Sequence, residues 1–267
     1  MDADQFAEEL LWLKQPAGQT ATDLALALEA AHLLIQPFAV QNNARPVFPL
    51  QPFGLIQVHP VAFQQILLGL LTFAIKLAPA QEILVETGSS QGWQTLTLSV
   101  PLSPGEQPSG ADEHSSLDTV RKLIELSHGT YMVEQTPLKF LARVAFRSVD
   151  PITVLVIDDN LELITMMERF TAETRYRILG LNDPNVVIET AMQVQPNLIV
   201  LDIMMPQLDG LQVLSRIKHH PTLGHIPVLI CSVLPQKDLA AALGAAGFIQ
   251  KPIQRQAFLT ALDKAGS

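Results

Sequence analysis

The sequence is poor in several features that would point to particular classes of protein. A single cysteine, Cys231, occurs among the 267 residues, so no internal disulfide can form and a disulfide scaffold is excluded. The first ten residues, MDADQFAEEL, lack the basic-then-apolar order of a secretory signal. The longest apolar stretch, residues 66–75, is shorter than the roughly 20 residues that a transmembrane helix needs. We therefore expect a cytoplasmic protein with no membrane partner.

Basic residues are also scarce. The chain has 17 Lys and Arg against 26 Asp and Glu, which gives a net charge of −9, and no cluster of five or more basic residues occurs. Nucleic-acid-binding proteins need a basic surface, so no DNA partner is expected. Hydrophobic residues make up 48% of the sequence. A chain of this length and composition predicts two domains with cores of their own.

The C-terminal half alternates short β-rich runs with amphipathic stretches from Thr153 onward. Five strand-like and five helix-like segments follow one another, and the strand-like segments are apolar throughout. Strands of that kind are buried on both faces. The pattern predicts an α/β fold with a five-stranded parallel sheet and helices on both faces.

Polar side chains stand at the ends of four of these predicted strands. Asp158 and Asp159 follow the first, Asp202 the third, Ser232 the fourth and Lys251 the fifth. Ligands bind at the carboxyl ends of parallel strands, so these side chains should face one crevice. Three carboxylates together repel unless a cation lies among them, and an all-oxygen site suits Mg²⁺. With Lys251 and the Ser232 hydroxyl as donors, Asp202 is a plausible nucleophile for phosphoryl transfer.

Four motifs in this half, VLVIDDN, LIVLDIMMPQLDG, VLICS and GAAGFIQKPI, together resemble the receiver domain of two-component response regulators over about residues 152–266. The resemblance implies a flavodoxin-like fold and Asp202 as phosphoacceptor, assisted by Lys251 and Ser232. It also implies that Asp159, Asp202 and the backbone carbonyl of Met204 ligate Mg²⁺, with Asp158 supporting the metal without ligating it directly.

The same resemblance assigns two switch positions, Ser232 and Phe248. Family members more often have threonine and tyrosine there, so this sequence keeps the hydroxyl and the ring but lacks the phenol. Met204 and Leu234 occupy the positions at which the family controls access of the hydrolytic water. Both side chains are apolar and cannot orient water, so slow self-dephosphorylation is predicted.

Each of these residues also has a plainer interpretation. An acidic pair at a strand-to-helix junction, such as Asp158 and Asp159 beside Asn160, is often only a helix N-cap. Lys251 alone would be a solvated surface residue, and Phe248 alone a core residue. The joint order of the motifs favours a working receiver, and the alternative is a folded receiver that has lost its chemistry.

The N-terminal half has a different pattern, which predicts an α+β domain with a mixed sheet and helices on one side. Residues 1–147 form this domain, 148–151 the linker and 152–267 the receiver. The predicted helices are 4–15, 22–38, 61–78 and 117–127, the predicted strands are 55–59, 82–88, 93–100, 130–135 and 138–146, and residues 101–116 are a loop.

Two segments of this half, FQQILLGLLTFAIKLAP and LDTVRKLIELSHGTYMVEQ, resemble the ATP-binding domain of histidine kinases over about residues 20–147. Gln65, Ala74, Lys76 and Pro79 fall where the family pattern expects them. The functional residues do not. Gly69 and Phe73 replace the two asparagines that bind magnesium and phosphates.

The glycine motifs are missing as well: no D-x-G-x-G follows strand 82–88, and residues 101–116 contain no G-x-G run that could cradle phosphates. We therefore expect no nucleotide-binding residues and no kinase activity in this half. The alternative is an unrelated α+β domain.

None of the seven histidines has the sequence context of a kinase phosphoacceptor, that is, His followed by Glu or Asp and then Pro. His32, in an apolar helical stretch, and His59 are expected to be structural. No zinc-ligand spacing, Ser-His-Asp arrangement or Walker-type loop is present.

The sequence thus predicts a two-component phosphorelay protein. A histidine kinase or histidine phosphotransfer protein would phosphorylate Asp202 and so switch protein–protein contacts. The N-terminal half would be an inactive docking or dimerising module, a pseudo-histidine kinase whose surfaces allow a homodimer. No enzymatic activity is expected beyond self-phosphorylation and slow dephosphorylation of the receiver. The alternative is the C-terminal part of a hybrid histidine kinase that retains nucleotide binding.

Overall fold

A computed structural model describes residues 20–50, 54–102, 111–205, 208–234 and 237–266. The chain divides into two compact units, Met1–Asp150 and Pro151–Ser267, and each is described by itself. The predicted helix at 4–15 lies outside the described residues.

The first unit combines helices with a mixed sheet, as predicted. In the sheet the strand order is β1-β3-β7-β5-β4-β2, with β6 also paired to β7; the β2–β4 pair is parallel and the other pairs are antiparallel. The elements are β1 (Thr22–Asp23), α1 (Leu24–Gln41), β2 (Arg45–Val47), β3 (Leu55–Ile56), α2 (Pro60–Leu77), β4 (Glu82–Ser90), β5 (Trp93–Pro101), α3 (Ala111–Leu126), β6 (Thr130–Thr136) and β7 (Lys139–Val149).

Helix α2 lies at the centre of this unit's core. Ten of its residues are buried, and His59 caps its N-terminus, with Pro60 at the first helical position, where a proline needs no hydrogen-bond donor. The facing strands alternate: Ile83 and Val85 on β4 are buried between exposed neighbours. Side chains alternate between the faces of a strand, so one face of the sheet packs on the helices. Each fully buried Leu or Phe contributes about 2 kcal/mol to that packing.

Several boundaries of the first unit differ from the prediction. Helix α1 spans Leu24–Gln41 rather than 22–38, because Asp23 caps it and residues 22–23 pair in the sheet, and strand β4 continues to Ser90 rather than ending at 88. Helix α3 begins at Ala111, six residues before the predicted start, so the end of the predicted loop 101–116 is helical. Its first turns read ADEHSS, a polar run that resembles a loop, although acidic residues are favourable at a helix N-terminus. Strand β7 continues to Val149, into the segment predicted as a linker.

A further difference concerns the short strands. The predicted strand 55–59 is limited to Leu55–Ile56, because His59 already caps α2. Its two residues pair with Val149 and Ser148 of β7, which is what extends β7 beyond its predicted end. Strands β1 and β2, with two and three residues, were not predicted because so few residues show no alternation.

The second unit has the predicted alternation of strands and helices. Its elements are β8 (Ile152–Ile157), α4 (Leu161–Thr171), β9 (Tyr176–Leu181), a 3₁₀ turn (Pro184–Val186), α5 (Val187–Val194), β10 (Leu198–Asp202), β11 (Met204–Met205), β12 (Leu208–Asp209), α6 (Gly210–Lys218), β13 (Val228–Ser232), α7 (Lys237–Ala242), β14 (Gly247–Gln250) and α8 (Arg255–Ala265).

Five of these strands form one parallel sheet in the order β14-β13-β10-β8-β9, which confirms the flavodoxin-like fold. Alternate residues of the central strand β10 enter different cores: Ile199 and Leu201 pack in one cluster, Leu198 and Val200 in another. The sheet is therefore covered on both faces. The chain runs outward from β8 to β9 and then crosses to β10, so the switch point of the sheet lies between β8 and β10.

Within the described part of the first unit, two helices are long and apolar enough to cross a membrane. Over 18 residues, mean hydropathy is 1.3 for α1 and 1.5 for α2, and 28% and 56% of those residues are buried in the fold. Core helices of soluble proteins have the same length and composition, so this is weak evidence for a membrane segment. The expectation of a cytoplasmic protein stays a prediction.

Candidate functional site

Four strand ends bring the predicted site residues together at one edge of the parallel sheet. Asp158 follows β8, Asp202 is the last residue of β10, Ser232 is the last residue of β13, and Lys251 follows β14. Asp158 and Asp202 therefore flank the switch point between β8 and β10, where a crevice is expected in folds of this kind.

Lys251 bridges the two buried carboxylates. Its Nζ donates to Asp158 Oδ2 at 2.8 Å and to Asp202 Oδ2 at 2.7 Å. The Asp158 and Asp202 side chains are 2% and 5% exposed, and that of Lys251 is 14% exposed. Such charge-assisted hydrogen bonds are short and strong. Two carboxylates and one ammonium group leave this buried trio with one negative charge, so the site can still attract a cation.

Backbone N–H groups hold the other oxygen of each carboxylate. Met204 N donates to Asp202 Oδ1 at 2.9 Å, and Asn160 N donates to Asp158 Oδ1 at 2.9 Å. The orientation of both carboxylates is thus fixed from two sides. Met204 begins β11, so its backbone is held beside the acidic cluster.

The side chain that caps α4 is Asn160. Its Oδ1 accepts from the N–H groups of Glu162 and Leu163 at 3.0 and 3.3 Å. The plainer interpretation of the Asp158 and Asp159 pair as the N-cap is therefore wrong, because the cap is the next residue.

Asp159 completes an acidic cluster that could hold a metal ion. One carboxylate oxygen each from Asp158, Asp159 and Asp202 lies within 4.8 Å of the others. Asp159 is exposed, whereas the other two are buried. Carboxylate oxygens are the ligands that Mg²⁺ prefers, and an exposed side leaves room for the waters that Mg²⁺ retains. The residues present fit a magnesium ion.

Burial and the shared lysine set the protonation of the site. Burial raises the pKa of Asp158, although the hydrogen bonds from Lys251 and Asn160 oppose that shift. Burial lowers the pKa of Lys251, but the hydrogen bonds and charges of Asp158 and Asp202 outweigh it, so the net shift is upward. Lys251 therefore remains an ammonium group at neutral pH. Burial also raises the pKa of the neighbouring Cys231 to about 12, which keeps this thiol protonated and unreactive.

The predicted switch residues lie beside the cluster on β13 and β14. Ser232 is fully buried, and its Oγ accepts from the N–H group of Leu234 at 3.2 Å. The Ser232 carbonyl accepts from Lys251 N at 2.9 Å, which ties the two strand ends together. Phe248 pairs with Ile230 across the strands and packs, partly buried, against the core. Met204 and Leu234 are 51% and 41% exposed, so two apolar side chains flank the site.

Gly210 is a site residue that the sequence reasoning missed. A Cβ at this position would lie 2.4 Å from both the Asp202 carbonyl oxygen and Ile203 Cα. Helix α6 begins here, capped by Asp209, whose Oδ1 accepts from Leu211 N at 2.9 Å. The available signal was the Asp-Gly pair eight residues after the end of β10.

Comparison with known protein families assigns residues 154–263 to the response regulator receiver domain. The match lies wholly within the second unit. These residues are a response regulator receiver domain, which confirms the expectation drawn from the four motifs. Residues 1–153 lie outside this match.

Several similar curated proteins each match between 38% and 42% of this chain. A probable cyclic di-GMP phosphodiesterase of Vibrio cholerae is 35% identical over 104 residues, 38% of this chain and 23% of its own length. The chemotaxis protein CheY of Listeria monocytogenes is 29% identical over 116 residues, 42% of this chain and 96% of its own length. The chain spans between 18% and 30% of the length of three curated relatives. The structure of the chemotaxis response regulator CheY4 of Vibrio cholerae matches with a TM-score of 0.41 and 20% identity, covering 43% of this chain and 98% of that one.

Gly69 and Phe73 of helix α2 are used for packing in the first unit. Phe73 is 4% exposed, and its ring centroid lies 5.2 Å from that of Phe140. A Cβ at Gly69 would lie 2.5 Å from Val120 Cγ2, so α3 packs closely on α2 at this point. A cleft of about 340 Å³ lies between these helices, and its lining includes Gly69, Phe73, Lys76 and Val120.

Two histidines of the first unit have structural contacts. His59 Nδ1 accepts from Val61 N at 3.3 Å and caps α2. The His32 ring packs edge-on against Phe48 with a centroid distance of 4.9 Å. Both contacts agree with the structural roles expected from the sequence.

Proposed function

We propose that this protein is a phosphorelay signalling protein whose receiver accepts a phosphoryl group on Asp202. The donor is a histidine kinase or a histidine phosphotransfer protein, and the reaction depends on magnesium. The observation that carries this proposal is Lys251, which donates to both Asp158 and Asp202 at the switch point of the sheet. A buried ammonium group between two oriented carboxylates, with a third acidic residue beside them, is the charge arrangement that phosphoryl transfer requires.

The chemistry assigns one role to each side chain. An Asp202 carboxylate oxygen forms the new O–P bond, while the bond from phosphorus to the donor's leaving atom breaks and the leaving group keeps that electron pair. Lys251 stabilises the negative charge on the phosphoryl oxygens. Bound Mg²⁺ would supply further charge neutralisation. Asp159, Asp202 and the Met204 carbonyl would ligate it, and Asp158 would support it without direct ligation.

The new charge at Asp202 would be converted into a surface change by Ser232 and Phe248. The Ser232 hydroxyl, at the end of β13, turns toward the phosphoryl group. The partly buried ring of Phe248 turns inward. Such a change alters the surface that a partner protein contacts. It requires a receiver with two accessible conformations.

The N-terminal half is proposed to be a catalytically inactive docking or dimerising module related to histidine-kinase ATPase domains. In support, its helices and mixed sheet follow the predicted order. Phe73 and Gly69 serve packing at the two positions where the kinases bind magnesium and phosphates. The apolar ring of Phe73 cannot ligate a magnesium ion. A domain that has lost its catalytic residues can still bind partner proteins through its surface.

Intact mass after incubation with acetyl phosphate and Mg²⁺ tests the receiver proposal. The wild type should gain one phosphoryl group, and Asp202→Asn should gain none while keeping its circular dichroism spectrum. Labelling of Asp202→Asn at the wild-type level would overturn Asp202 as the acceptor.

The cleft between α2 and α3 favours a second candidate, a hybrid-kinase fragment that retains nucleotide binding. Lys76 on its rim could contact a phosphate. A ligand at 100 times its dissociation constant stabilises the folded state by about 2.7 kcal/mol, which is visible as a rise in melting temperature. Our proposal predicts no rise with MgATP, and a concentration-dependent rise would favour the alternative.

A further inference from the structure

Strand β6 is the longest described strand that has a hydrogen-bonded neighbour along one side only. It spans seven residues, Thr130–Thr136, and among the described strands it pairs with β7 alone. Six of the seven residues are exposed. The unpaired N–H and C=O groups of such a strand are a ready template for another strand, so an exposed edge needs either protection or a partner.

The strands at the two ends of this sheet are short or blocked. Strands β1 and β2 have two and three residues, and β2 includes Arg45 and Pro46. Charges and prolines are the usual means by which proteins block an edge. Strand β6 contains no proline, glycine or basic residue, and its one charged residue is Glu134. Its edge is therefore open to pairing.

The hydrogen bonds of β7 show which residues of β6 direct their backbone outward. Lys139 N donates to Thr136 Oγ1 at 3.1 Å, and Thr136 Oγ1 donates to Lys139 O at 3.2 Å, so both backbone groups of Lys139 face β6. Hydrogen-bonded and non-hydrogen-bonded pairs alternate along an antiparallel ladder, so every second residue of β6, Thr136 included, bonds to β7. The residues between them, which direct their N–H and C=O groups to the open edge, are Tyr131, Val133 and Gln135.

We infer that the partner of this edge is the β6 strand of a second copy of the chain, paired antiparallel about Val133. A two-fold axis turns a strand into its own antiparallel neighbour, so one contact uses the open edge of both copies and the assembly closes. In this register Val133 faces the partner's Val133, and Thr130 faces the partner's Thr136. The pairing specifies the dimerising role proposed above for the N-terminal half, and it rests on that part of the proposal.

The position of the one charge on β6 fits this register. Glu134 faces the partner's Met132, whereas a register in which Glu134 faced its own copy would place two carboxylates together, which is destabilising. Met132 lies beside Arg143 of β7. The partner's Glu134 therefore approaches a positive charge across the contact, and the strand is complementary to itself.

Analytical ultracentrifugation of the full-length protein over a concentration series measures the pairing. The wild type should form dimers that dissociate on dilution, since a contact between two strands is smaller than a standard interface. Val133→Lys places two like charges at the centre of the contact and should raise the dimer dissociation constant at least tenfold. Met132→Lys places its charge opposite the partner's Glu134 and should lower that constant several-fold. The two replaced side chains are matched controls, with 38% and 40% exposure.

The alternative outcomes separate this inference from the proposed function. Equal weakening of the dimer by both variants overturns the register about Val133. A dimer that Val133→Lys leaves unchanged uses another surface, which overturns the inference while the dimerising role stands. A protein that stays monomeric at every concentration overturns both. Phosphoryl uptake on Asp202 is measured separately and does not depend on any of these results.

Disulfide trapping locates the contact without adding a charge. In the proposed pair the Cα atoms of the two Val133 residues are about 5.5 Å apart, a separation that a disulfide spans. The native Cys231 is buried, so an added cysteine is the thiol that an oxidant reaches. Mild oxidation should convert Val133→Cys to a covalent dimer.

Leu138→Cys is the matched control for this trapping. Leu138 is 67% exposed in the β6–β7 turn, but its two copies would be about 34 Å apart in the proposed pair. This variant should therefore remain monomeric after oxidation. Failure of Val133→Cys to form a covalent dimer, or equal trapping at both positions, overturns the inference.

Discussion

The two units of this protein differ in the side chains found at the positions that the sequence singled out: charged residues in the receiver and packing residues in the N-terminal unit. In the receiver, strand ends bring two buried carboxylates within hydrogen-bond distance of one ammonium group. In the N-terminal unit, Phe73 and Gly69 both serve packing, and these are the two positions that we propose to correspond to the asparagines of histidine kinases. A buried charge costs stability unless it is paired, so it is retained where it has a use. On the relationship proposed above, the N-terminal unit has kept a fold and lost its chemistry, whereas the receiver has kept both.

The largest effect is expected from removing the shared cation with Lys251→Met. Asp158 and Asp202 would remain buried without their partner, and breaking a buried pair costs about 3–5 kcal/mol. Urea unfolding at pH 7 in the presence of EDTA measures the loss. Phosphoryl uptake should also disappear, whereas Lys264→Met, at an exposed position, should change neither property.

The pH dependence of this variant follows from the direction of the Asp158 shift. Burial already raises the pKa of Asp158, and loss of Lys251 removes a hydrogen bond and a charge that oppose this shift, leaving only the Asn160 backbone N–H. A carboxyl group with a raised pKa binds its proton more tightly in the folded state, so protonation favours folding. The deficit of Lys251→Met should therefore be largest at pH 7 and shrink as the pH falls toward about 4, the unfolded pKa of aspartate. A deficit that grows on acidification would contradict the proposed pairing.

A comparable loss is expected from Phe73→Asn, which introduces the residue that the histidine-kinase pattern has at this position. The change removes a buried ring that packs on Phe140 and leaves an amide in the core, at a cost of about 3–5 kcal/mol. It should not create MgATP binding, as judged by melting temperature. Leu138→Asn, at an exposed site, should stay within about 0.5 kcal/mol of the wild type. Retained stability together with a rise in melting temperature on adding MgATP would show that the N-terminal unit still contains a nucleotide site, and would contradict the contrast drawn between the two units.

A smaller effect is expected from Gly210→Ala. The added methyl group would meet the backbone of Asp202 and Ile203, so the strand end must shift, at a cost of about 1–3 kcal/mol. Phosphoryl uptake from acetyl phosphate should slow at the same time. Gly92→Ala is the control, because its φ of +76° is strained for alanine but no atom lies within 4 Å of the new methyl group. If the two variants slowed phosphoryl uptake equally, Gly210 would have no specific role in the site.

The smallest effect concerns the lifetime of the phosphoryl group rather than stability. Met204 and Leu234 are half-exposed and apolar beside the cluster, so neither can orient a hydrolytic water. The phosphorylated wild type should persist for minutes or longer after acetyl phosphate is removed, and Leu234→Gln should shorten that time several-fold. Val233→Gln, at a neighbouring exposed position, should not. A wild-type lifetime of seconds contradicts this prediction.

The receiver fold was predictable because its strands are apolar on both faces and its helices are amphipathic. Parallel strands place their carboxyl ends at one edge, so Asp158, Asp202, Ser232 and Lys251 could be grouped before any coordinates were known. The close approach of Gly210 was not predictable, since a glycine after aspartate is equally typical of an ordinary turn. The role of Asn160 as the cap, in place of the acidic pair, required the side-chain geometry.

The N-terminal unit was less predictable at its boundaries. The start of α3 was missed because a polar helix turn and a loop have the same composition. The short strands β1 and β2 depend on pairing partners distant in sequence, such as Ile56 for Thr22 and Glu82 for Arg45, which no local pattern reveals. Long elements with a clear period, such as α2 and β5, were predicted closely.

The most direct test of the central claim locates the phosphoryl group and its metal requirement together. The protein is treated with acetyl phosphate with and without Mg²⁺, reduced with borohydride, which converts an aspartyl phosphate to homoserine, and then sequenced by tandem mass spectrometry. The account predicts homoserine at position 202 alone, and only in the samples that contained Mg²⁺. Homoserine at Asp158 or Asp159, or equal labelling of Asp202 after EDTA treatment, would contradict it.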